Sequence, residues 1–141
     1  MTLFVPKSTR GFVSLTDGEI SLKKVLIPVD HHPNPNSAIA YAARAATLMG
    51  DPPVEIIVIH VGDSAEMPGL DLPEAPTYSW KKLHLRGEVV EEIIRVVEEH
   101  SVDLVAMGTH GHEGILDALR GSVTEHVLRR SPRPVLAVPT D

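Results

Sequence analysis

The sequence predicts an α/β fold, a five-stranded parallel doubly wound sheet with helices on both faces. Two observations lead to this prediction. Several short, β-branched runs are apolar at nearly every position, which is typical of strands in a sheet covered on both faces. These runs alternate with segments of helical periodicity. Because such alternation implies right-handed crossovers between parallel strands, we expect the order 3-2-1-4-5, with strands counted along the chain.

Five segments are predicted strands, of which the third is the weakest. In chain order they are KVLIPV (24–29), VEIIVIHV (54–61), YSWKKLHL (78–85), VDLVAMG (102–108) and PVLAVP (134–139). The last, from Pro134 to Pro139, is apolar on both sides and would form a sheet edge. An uncovered apolar edge strand is prone to pair with another chain, so we expect a homodimer partner to cover it.

The first predicted helix follows the first strand. Residues 36–50 carry alanine and leucine at helical spacing. Asn36 or Ser37 is expected to be the N-cap, and Gly50 the C-cap.

Two further helices are predicted before and after the fourth strand. Residues 88–100 place valine and isoleucine on one side and glutamate largely on the other, the pattern of a helix with one buried face. Residues 122–130 begin with a capping box, Ser122 followed by Glu125, and end in two arginines that suit the helix dipole.

Two segments interrupt the alternation of strands and helices. Residues 62–80 are rich in proline and glycine where another helix would be expected, and we interpret them as a long surface loop. Around Asp17 and Gly18 the flanking apolar residues indicate a hairpin. The predicted organisation is an N-terminal extension, residues 1–22, and a single α/β domain, residues 23–141.

Size, composition and charge restrict the class of protein. A chain of 141 residues with 43% hydrophobic and 23% charged residues is typical of one soluble globular domain. The net charge of −6 disfavours a nucleic-acid partner. The absence of cysteine excludes disulfides and thiol chemistry. No basic region followed by an apolar run opens the sequence, and we expect a cytoplasmic protein without a membrane segment.

A ligand crevice is expected where the winding of the sheet reverses, beyond the carboxyl ends of strands one and four. Asp30 follows strand one. Gly108 ends strand four and begins the spacing Gly108-x2-Gly111-x9-Gly121-Ser122. Glycines let backbone N–H groups approach phosphate oxygens, and the helix opening at Ser122 offers more N–H groups. Equally, the glycines could serve only a tight turn and Ser122 only as an N-cap.

Several known motifs are excluded. No lysine precedes Ser122, so the segment is not a P-loop, and the spacing is not G-x-G-x-x-G. The stretch HEGIL, which begins at His112, has Leu116 where a zinc-protease motif needs a second histidine. No general base, nucleophile or lysine is convincingly placed for rapid turnover.

Taken together, IPVD after the first strand, IHV at the end of the second, and MGTHG…RGSVTEHVLRRSPRPVLAVP resemble the universal stress protein family. The glycine spacing is similar to the Gly-x2-Gly-x9-Gly-Ser motif of its ATP-binding subgroup. The resemblance covers residues 23–139 and is weakest between residues 62 and 85.

The resemblance implies a five-stranded α/β domain, commonly a homodimer, that binds ATP or AMP in the stress response without a Walker lysine. Mg²⁺ or Mn²⁺ would offset the phosphate charge. In this chain Asp30 would bond the adenine or ribose, beside an apolar slot for the base, and backbone N–H groups would face ribose and phosphates. The implied nucleotide-binding residues are Pro28, Val29, Asp30, Val61, Met107, Gly108, Gly111, His112, Gly121, Ser122 and Val123.

Two functional hypotheses follow. The first is a nucleotide-binding regulatory protein with at most slow ATP hydrolysis. The second is a dimeric interaction module that has lost ATP binding and uses a histidine-lined crevice for another ligand or a metal. His31 and His32 follow Asp30, and His110 and His112 lie in the glycine-rich segment.

Overall fold

The computed structural model describes residues 1–6, 11–63, 67–110 and 121–140. Two predicted site residues, Gly111 and His112, lie outside the described residues, as does the side chain of His110. The described elements are β1 (Thr2–Phe4), β2 (Leu22–Pro28), α1 (Asn36–Met49), β3 (Gly50–Val61), β4 (Tyr78–Leu85), α2 (Val89–Glu99), β5 (Leu104–His110), α3 (Val123–Arg130) and β6 (Val135–Thr140).

The strands form one six-stranded sheet in the order β1-β6-β5-β2-β3-β4. The five strands from β2 to β6 are parallel and follow the expected order 3-2-1-4-5. The sixth, β1, is antiparallel to β6. The prediction of a five-stranded, wholly parallel sheet is therefore wrong, because the chain adds an antiparallel strand at one edge.

β1 occupies the position that we expected a homodimer partner to take. Thr2, Leu3 and Phe4 lie opposite Ala137, Leu136 and Val135. The strand from Pro134 to Pro139 is thus covered at this edge by its own chain. The position of this strand could not be predicted, because a three-residue strand has no periodicity and its pairing joins distant parts of the chain.

The predicted hairpin is reduced to a tight turn. Val13 and Ile20 form an isolated antiparallel bridge, and Gly18 takes the left-handed conformation with φ 74°. The Asp17 carboxylate accepts the N–H of Glu19 at 3.0 Å. Next to this turn, Phe12 is buried in the core of the α/β unit, so the N-terminal extension packs with the domain rather than standing apart from it.

Two apolar layers, one on each face of the sheet, form the core. On one face α1 packs through Ile39, Ala42 and Ala46 on a cluster from β2, β3, β5 and β6. On the other face α2 and α3 pack on the alternate residues of the strands, such as Ile57 and Ile59. This arrangement explains why the central strands are apolar throughout, since successive side chains point to opposite covered faces.

The proline-rich segment after β3 covers the sheet without a helix between residues 67 and 77. Met67, Leu70 and Leu72 pack against the same apolar layer as α1. The Trp80 Nε1–H group donates to the Pro73 carbonyl at 2.7 Å, which fixes the end of the segment against β4. The predicted loop therefore contributes to the core.

The helix ends agree with the sequence at α3 and differ at α1. Pro35, and not Asn36 or Ser37, is the N-cap of α1. The Asn36 side chain instead accepts the N–H of Asp71 at 2.9 Å, which ties the helix to the proline-rich segment. Gly50 is the C-cap, as expected.

Candidate functional site

A pocket of about 120 Å³ lies at the carboxyl ends of β2, β3 and β5, between α2 and α3. It is at the expected reversal of winding, because β2 and β5 are neighbours there. Seven predicted site residues line it, namely Pro28, Val29, Asp30, Val61, Met107, Gly108 and Val123. Further lining residues, not predicted as nucleotide ligands, are His32, Pro33, Pro35, Ile59, Val89, Ile93 and Thr124.

The floor of the pocket is apolar. Val29, Val61 and Met107 are 7%, 8% and 5% exposed. Val29 follows β2, Val61 ends β3, and Met107 lies within β5. An engineered apolar cavity of roughly 150 Å³ accepts benzene. The enclosed part of this pocket thus has the size for one ring, and a larger ligand would extend into the open crevice.

Asp30 is the acidic residue at the rim of the pocket. It is exposed, and its Oδ1 atom accepts the N–H of His31 at 2.7 Å. Its Oδ2 atom has no hydrogen-bond partner among the described residues. The carboxylate is therefore held by the backbone on one side and can accept from a ligand on the other.

Gly108 allows the loop after β2 to approach β5 closely. A Cβ atom at this position would lie 3.3 Å from Pro33 Cγ and 3.5 Å from Thr140 Cγ2. The distance to Pro33 is shorter than an ordinary van der Waals contact, whereas the distance to Thr140 is ordinary. The close approach gives glycine a packing role here, besides any role towards a ligand.

The N-terminus of α3 forms a second polar part of the site, next to Val123. Ser122 is the N-cap, and its Oγ atom accepts the N–H of Glu125 at 3.1 Å. The Gly121 N–H donates to Glu125 Oε1 at 3.1 Å, in the manner of a capping box. The N–H groups of Val123 and Thr124 have no hydrogen-bond partner in the described part of the chain, so they can face an anion.

Thr124 anchors this helix to the sheet. Its Oγ1 atom donates to the carbonyl of Gly108 at 3.3 Å, and the residue is 5% exposed. The start of α3 is thereby held against the end of β5, which positions the unpaired N–H groups at the wall of the pocket.

The rings of His31, His60 and His84 form a row beside the crevice. His60 is buried, and its Nδ1 atom lies 3.1 Å from the Val29 carbonyl. Its ring contacts those of His31 and His84, with centroids 6.0 and 5.9 Å away. Among the described residues no three His, Asp or Glu side chains are arranged to hold a metal ion.

Sequence reasoning missed the α2 side of the pocket. It placed Val89 and Ile93 on the apolar face of a helix, which is where they are. It could not tell that this face reaches the strand ends, because helix position over a sheet is set by packing between distant segments. Thr124 had no signal in the sequence beyond its place after the capping serine.

The fold and the crevice define a doubly wound α/β protein with a ligand pocket at the carboxyl ends of its strands. The model of the universal stress protein family matches residues 73–139. Among curated relatives, universal stress protein MJ0577 of Methanocaldococcus jannaschii is 46% identical over 48 residues, 34% of this chain and 30% of that protein. Universal stress protein Slr1230 of Synechocystis is 30% identical over 122 residues, 82% of this chain and 42% of that protein. This chain is thus similar to universal stress proteins, and it spans less than half of the length of either relative.

Solved structures show the same fold. The structure of MJ0577 superposes with a TM-score of 0.64 at 24% identity, covering 86% of this chain and 99% of the other. A universal stress protein in complex with cAMP gives 0.62 at 21% identity, covering 86% and 99%. A family protein of Arabidopsis thaliana with AMP bound gives 0.54 at 14% identity, covering 84% and 92%.

No helix in the described ranges is both long and apolar enough to cross a membrane.

Proposed function

We propose that this chain is an adenine-nucleotide-binding regulatory protein of the stress response, which holds ATP or AMP in the crevice without a Walker lysine. One observation carries the proposal. An apolar pocket, whose enclosed part has the size of one ring, lies between an exposed carboxylate, Asp30, and N–H groups at the start of α3 that have no hydrogen-bond partner among the described residues. Those three parts match the base, the ribose and the phosphates of a nucleotide.

Adenine has two fused rings, so one ring would lie on the apolar floor formed by Val29, Val61 and Met107 and the other would extend into the open crevice. Asp30 would accept a hydrogen bond from a ribose hydroxyl or from the adenine amino group. The phosphates would face the N–H groups of Val123 and Thr124 and the positive end of the α3 dipole. Gly111 and His112 remain part of the proposed site through the glycine motif alone.

Proteins of similar fold support an adenine ligand. Structures of relatives are described with cAMP, with dAMP and with AMP. The three ligands have in common an adenine base on a sugar that carries one phosphate, and this common part is what we propose for the pocket of this chain. ATP with Mg²⁺ or Mn²⁺ is also part of the proposal. Its two additional phosphates would lie outside the enclosed pocket, in the open crevice.

Calorimetric titration with AMP, ATP and cAMP, each with and without Mg²⁺, tests the proposal. We expect Asp30→Ala to weaken binding at least tenfold, about 1.4 kcal/mol, because a charged hydrogen bond is lost. Asp51→Ala is the matched control, since Asp51 is an exposed carboxylate at the start of β3, away from the crevice. Absence of binding by the wild type, or equal binding by Asp30→Ala, would sink the proposal.

Hydrolysis is proposed to be slow at most. No lysine is among the described residues that line the pocket. Release of phosphate from ATP should therefore be far below that of an ordinary ATPase, and nucleotide occupancy would act through conformation or partner affinity.

The second hypothesis, a histidine-lined crevice for another ligand or a metal, has less support. His32 lines the pocket, whereas His31 contacts the ring of His60. One ring nitrogen of His60 and one of His84 are engaged with the carbonyls of Val29 and Gly62. A titration with Zn²⁺ alone that gave stoichiometric binding would favour this hypothesis over the first.

A further inference from the structure

β4 forms the edge of the sheet that lies farthest from β1. At its start, the N–H of Val54 in β3 donates to the Thr77 carbonyl at 3.0 Å. At its end, the N–H of Gly62 donates to the Leu85 carbonyl, also at 3.0 Å. The register between β3 and β4 is unbroken over this length. Because alternate residues of a parallel strand bond the same neighbour, the odd-numbered residues of β4 bond β3.

The even-numbered residues of β4 therefore point their backbone groups away from the sheet. On this outer side the backbones of Trp80, Lys82 and His84 have no hydrogen bond to another described residue. Unpaired N–H and C=O groups on an edge strand can pair with a strand from another chain. The outer side of β4 is thus an open template for an extended segment.

Three cationic side chains accompany this open edge. Lys81, Lys82 and Arg86 are exposed, and in the described part of the chain none of them forms an ion pair. Residues 78–87 contain no aspartate or glutamate, although the whole chain has a net charge of −6. The edge is therefore a positive region on an acidic protein, and it attracts a negatively charged partner.

The two lysines lie on opposite faces of the sheet. Lys81 is opposite Ile57, whose side chain belongs to the apolar layer under α2. Lys82 is opposite Val58, which belongs to the layer under α1. Residues opposite each other in a ladder point to the same face. An added strand would therefore meet both lysines with acidic side chains only if it carried adjacent acidic residues.

An open groove of about 690 Å³ lies beside the start of β4. Its aromatic walls are Tyr78 and Trp80, whose rings meet edge to face with centroids 5.6 Å apart. The hydrogen bond from Trp80 to Pro73 already holds the indole ring, so binding does not have to order it. Glu74 also lines the groove and gives it a negative charge. The groove thus suits an apolar side chain and disfavours an acidic one.

We propose that β4 binds an extended acidic peptide segment of another protein, which adds to the sheet as an antiparallel strand. Antiparallel pairing is slightly more stable per residue than parallel pairing. In this orientation the first half of the segment carries adjacent acidic residues beside Lys81, Lys82 and Arg86. Its second half carries apolar residues, one of which enters the groove of Tyr78 and Trp80.

A second copy of β4 fits this edge poorly, because antiparallel pairing of two such strands would bring their lysines together. An acidic strand from a different protein has the complementary charge. The groove and the nucleotide pocket share no lining residue. The proposal therefore does not depend on the proposed nucleotide function.

Titration with a capped peptide of the sequence Glu-Glu-Glu-Val-Leu-Val tests the proposal. Trp80 is the only tryptophan of the chain, so its fluorescence reports binding at the groove. We expect a saturable change in emission, with an affinity that falls as salt is added. A counterpart peptide with lysine in place of each glutamate should not bind. Absence of binding by the acidic peptide, or equal binding by the lysine peptide, would overturn the proposal.

A double variant, Lys81→Gln with Lys82→Gln, tests the role of charge. It should bind the acidic peptide at least about fivefold more weakly, because two exposed charge pairs are lost. The matched control is Lys23→Gln with Arg44→Gln, which removes two exposed cations outside β4. Thermal melts should show that both double variants remain folded, since all four side chains are exposed or solvated at the surface. Equal affinities of the two double variants would contradict the proposal.

Peptides methylated on alternate backbone nitrogens test the strand pairing. In an added strand only every second N–H faces β4. Methylation at the first, third and fifth residues, or at the second, fourth and sixth, should therefore abolish binding in one case and leave it nearly intact in the other. Equal effects of the two patterns would contradict a strand added to the edge.

Two further titrations separate this proposal from its alternatives. Asp30→Ala should bind the acidic peptide as the wild type does, whether or not it binds nucleotides. A ten-residue oligodeoxythymidine should bind more weakly than the acidic peptide. Tighter binding of the oligonucleotide would assign the edge to nucleic acid and overturn the proposal.

Discussion

At the start of α3 one carboxylate occupies a position that a phosphate would also favour. Glu125 Oε1 accepts the N–H of Gly121 at 3.1 Å, and its own N–H is bonded to Ser122. A phosphate at this helix end would meet both the N–H groups and this negative charge. The capping box and the proposed ligand therefore compete for the same end of the helix.

Replacing Glu125 by glutamine separates these two effects. Glutamine can keep the capping hydrogen bond while it removes the charge. We expect Glu125→Gln to bind AMP about threefold to tenfold more tightly than the wild type, from lost repulsion of roughly 1 kcal/mol. Calorimetric titration at low and at high salt measures this difference, which should shrink as salt screens the charge.

Glu91→Gln is a suitable control, because Glu91 is a largely exposed carboxylate paired with Arg130 at the other end of α3. It should leave AMP affinity unchanged. Equal affinity of Glu125→Gln and wild type for AMP would show that no phosphate lies at this helix end.

Gly121 is required for its backbone conformation. Its φ is 74°, and an added Cβ atom would meet nothing within 4 Å. Strain, and not crowding, is therefore the cost of a side chain. Gly121→Ala should lower the free energy of unfolding by roughly 1 kcal/mol, and Gly121→Asn by less, because asparagine tolerates the left-handed region better.

Urea unfolding measures both variants. Gly69→Ala is the control, since Gly69 also has open space around it but has no positive φ. It should be close to neutral or slightly stabilising. Equal losses for Gly121→Ala and Gly69→Ala would contradict the argument from backbone strain.

Among the helices and strands, the sequence predicted best those whose structure depends on residues within the same segment. β4 agrees with its predicted bounds, Tyr78–Leu85, and α3 begins after the predicted capping serine. Apolar periodicity and capping are local properties, and they can be read from a few consecutive residues.

The elements that were missed depend on partners far away in the chain. β1 exists as a strand because β6 lies beside it. The N-cap of α1 is Pro35, and the side chain of Asn36, a predicted cap, bonds Asp71 in the segment after β3 instead. For the same reason the sequence placed seven residues in the pocket but not the wall contributed by α2.

The proline-rich cover shows how a helix can be replaced. Leucine and methionine side chains from residues 67–72 fill the apolar layer beside α1. Prolines prevent regular helical hydrogen bonding, so the segment is held by bonds to Asn36 and from Trp80 instead. The composition correctly predicted that residues 67–77 form no helix. It did not reveal that their apolar side chains pack on the core.

In the whole molecule, the two ends of the parallel strands have different roles. Their carboxyl ends form the crevice, and their amino ends are joined by Asp103. Its Oδ2 atom accepts the N–H groups of Lys23 and Lys24 at 2.8 and 3.0 Å. Its Oδ1 atom accepts from Arg133 at 3.1 Å. One carboxylate thus ties the starts of β2, β5 and β6 together.

Removing this carboxylate should destabilise the fold without affecting the crevice. Asp103→Ala loses three hydrogen bonds, one of them to a guanidinium whose Nε atom is already buried with no partner in the part of the chain that the structure describes. We expect the free energy of unfolding to fall by about 2–4 kcal/mol. Asp51→Ala, which removes only an exposed ion pair to Lys23, should cost less than about 1 kcal/mol.

Urea unfolding gives both values, and AMP titration of the folded variants should give wild-type affinity. A loss in Asp103→Ala no larger than in Asp51→Ala would contradict this role, and a loss of AMP affinity in Asp103→Ala would show that the two ends of the sheet are coupled.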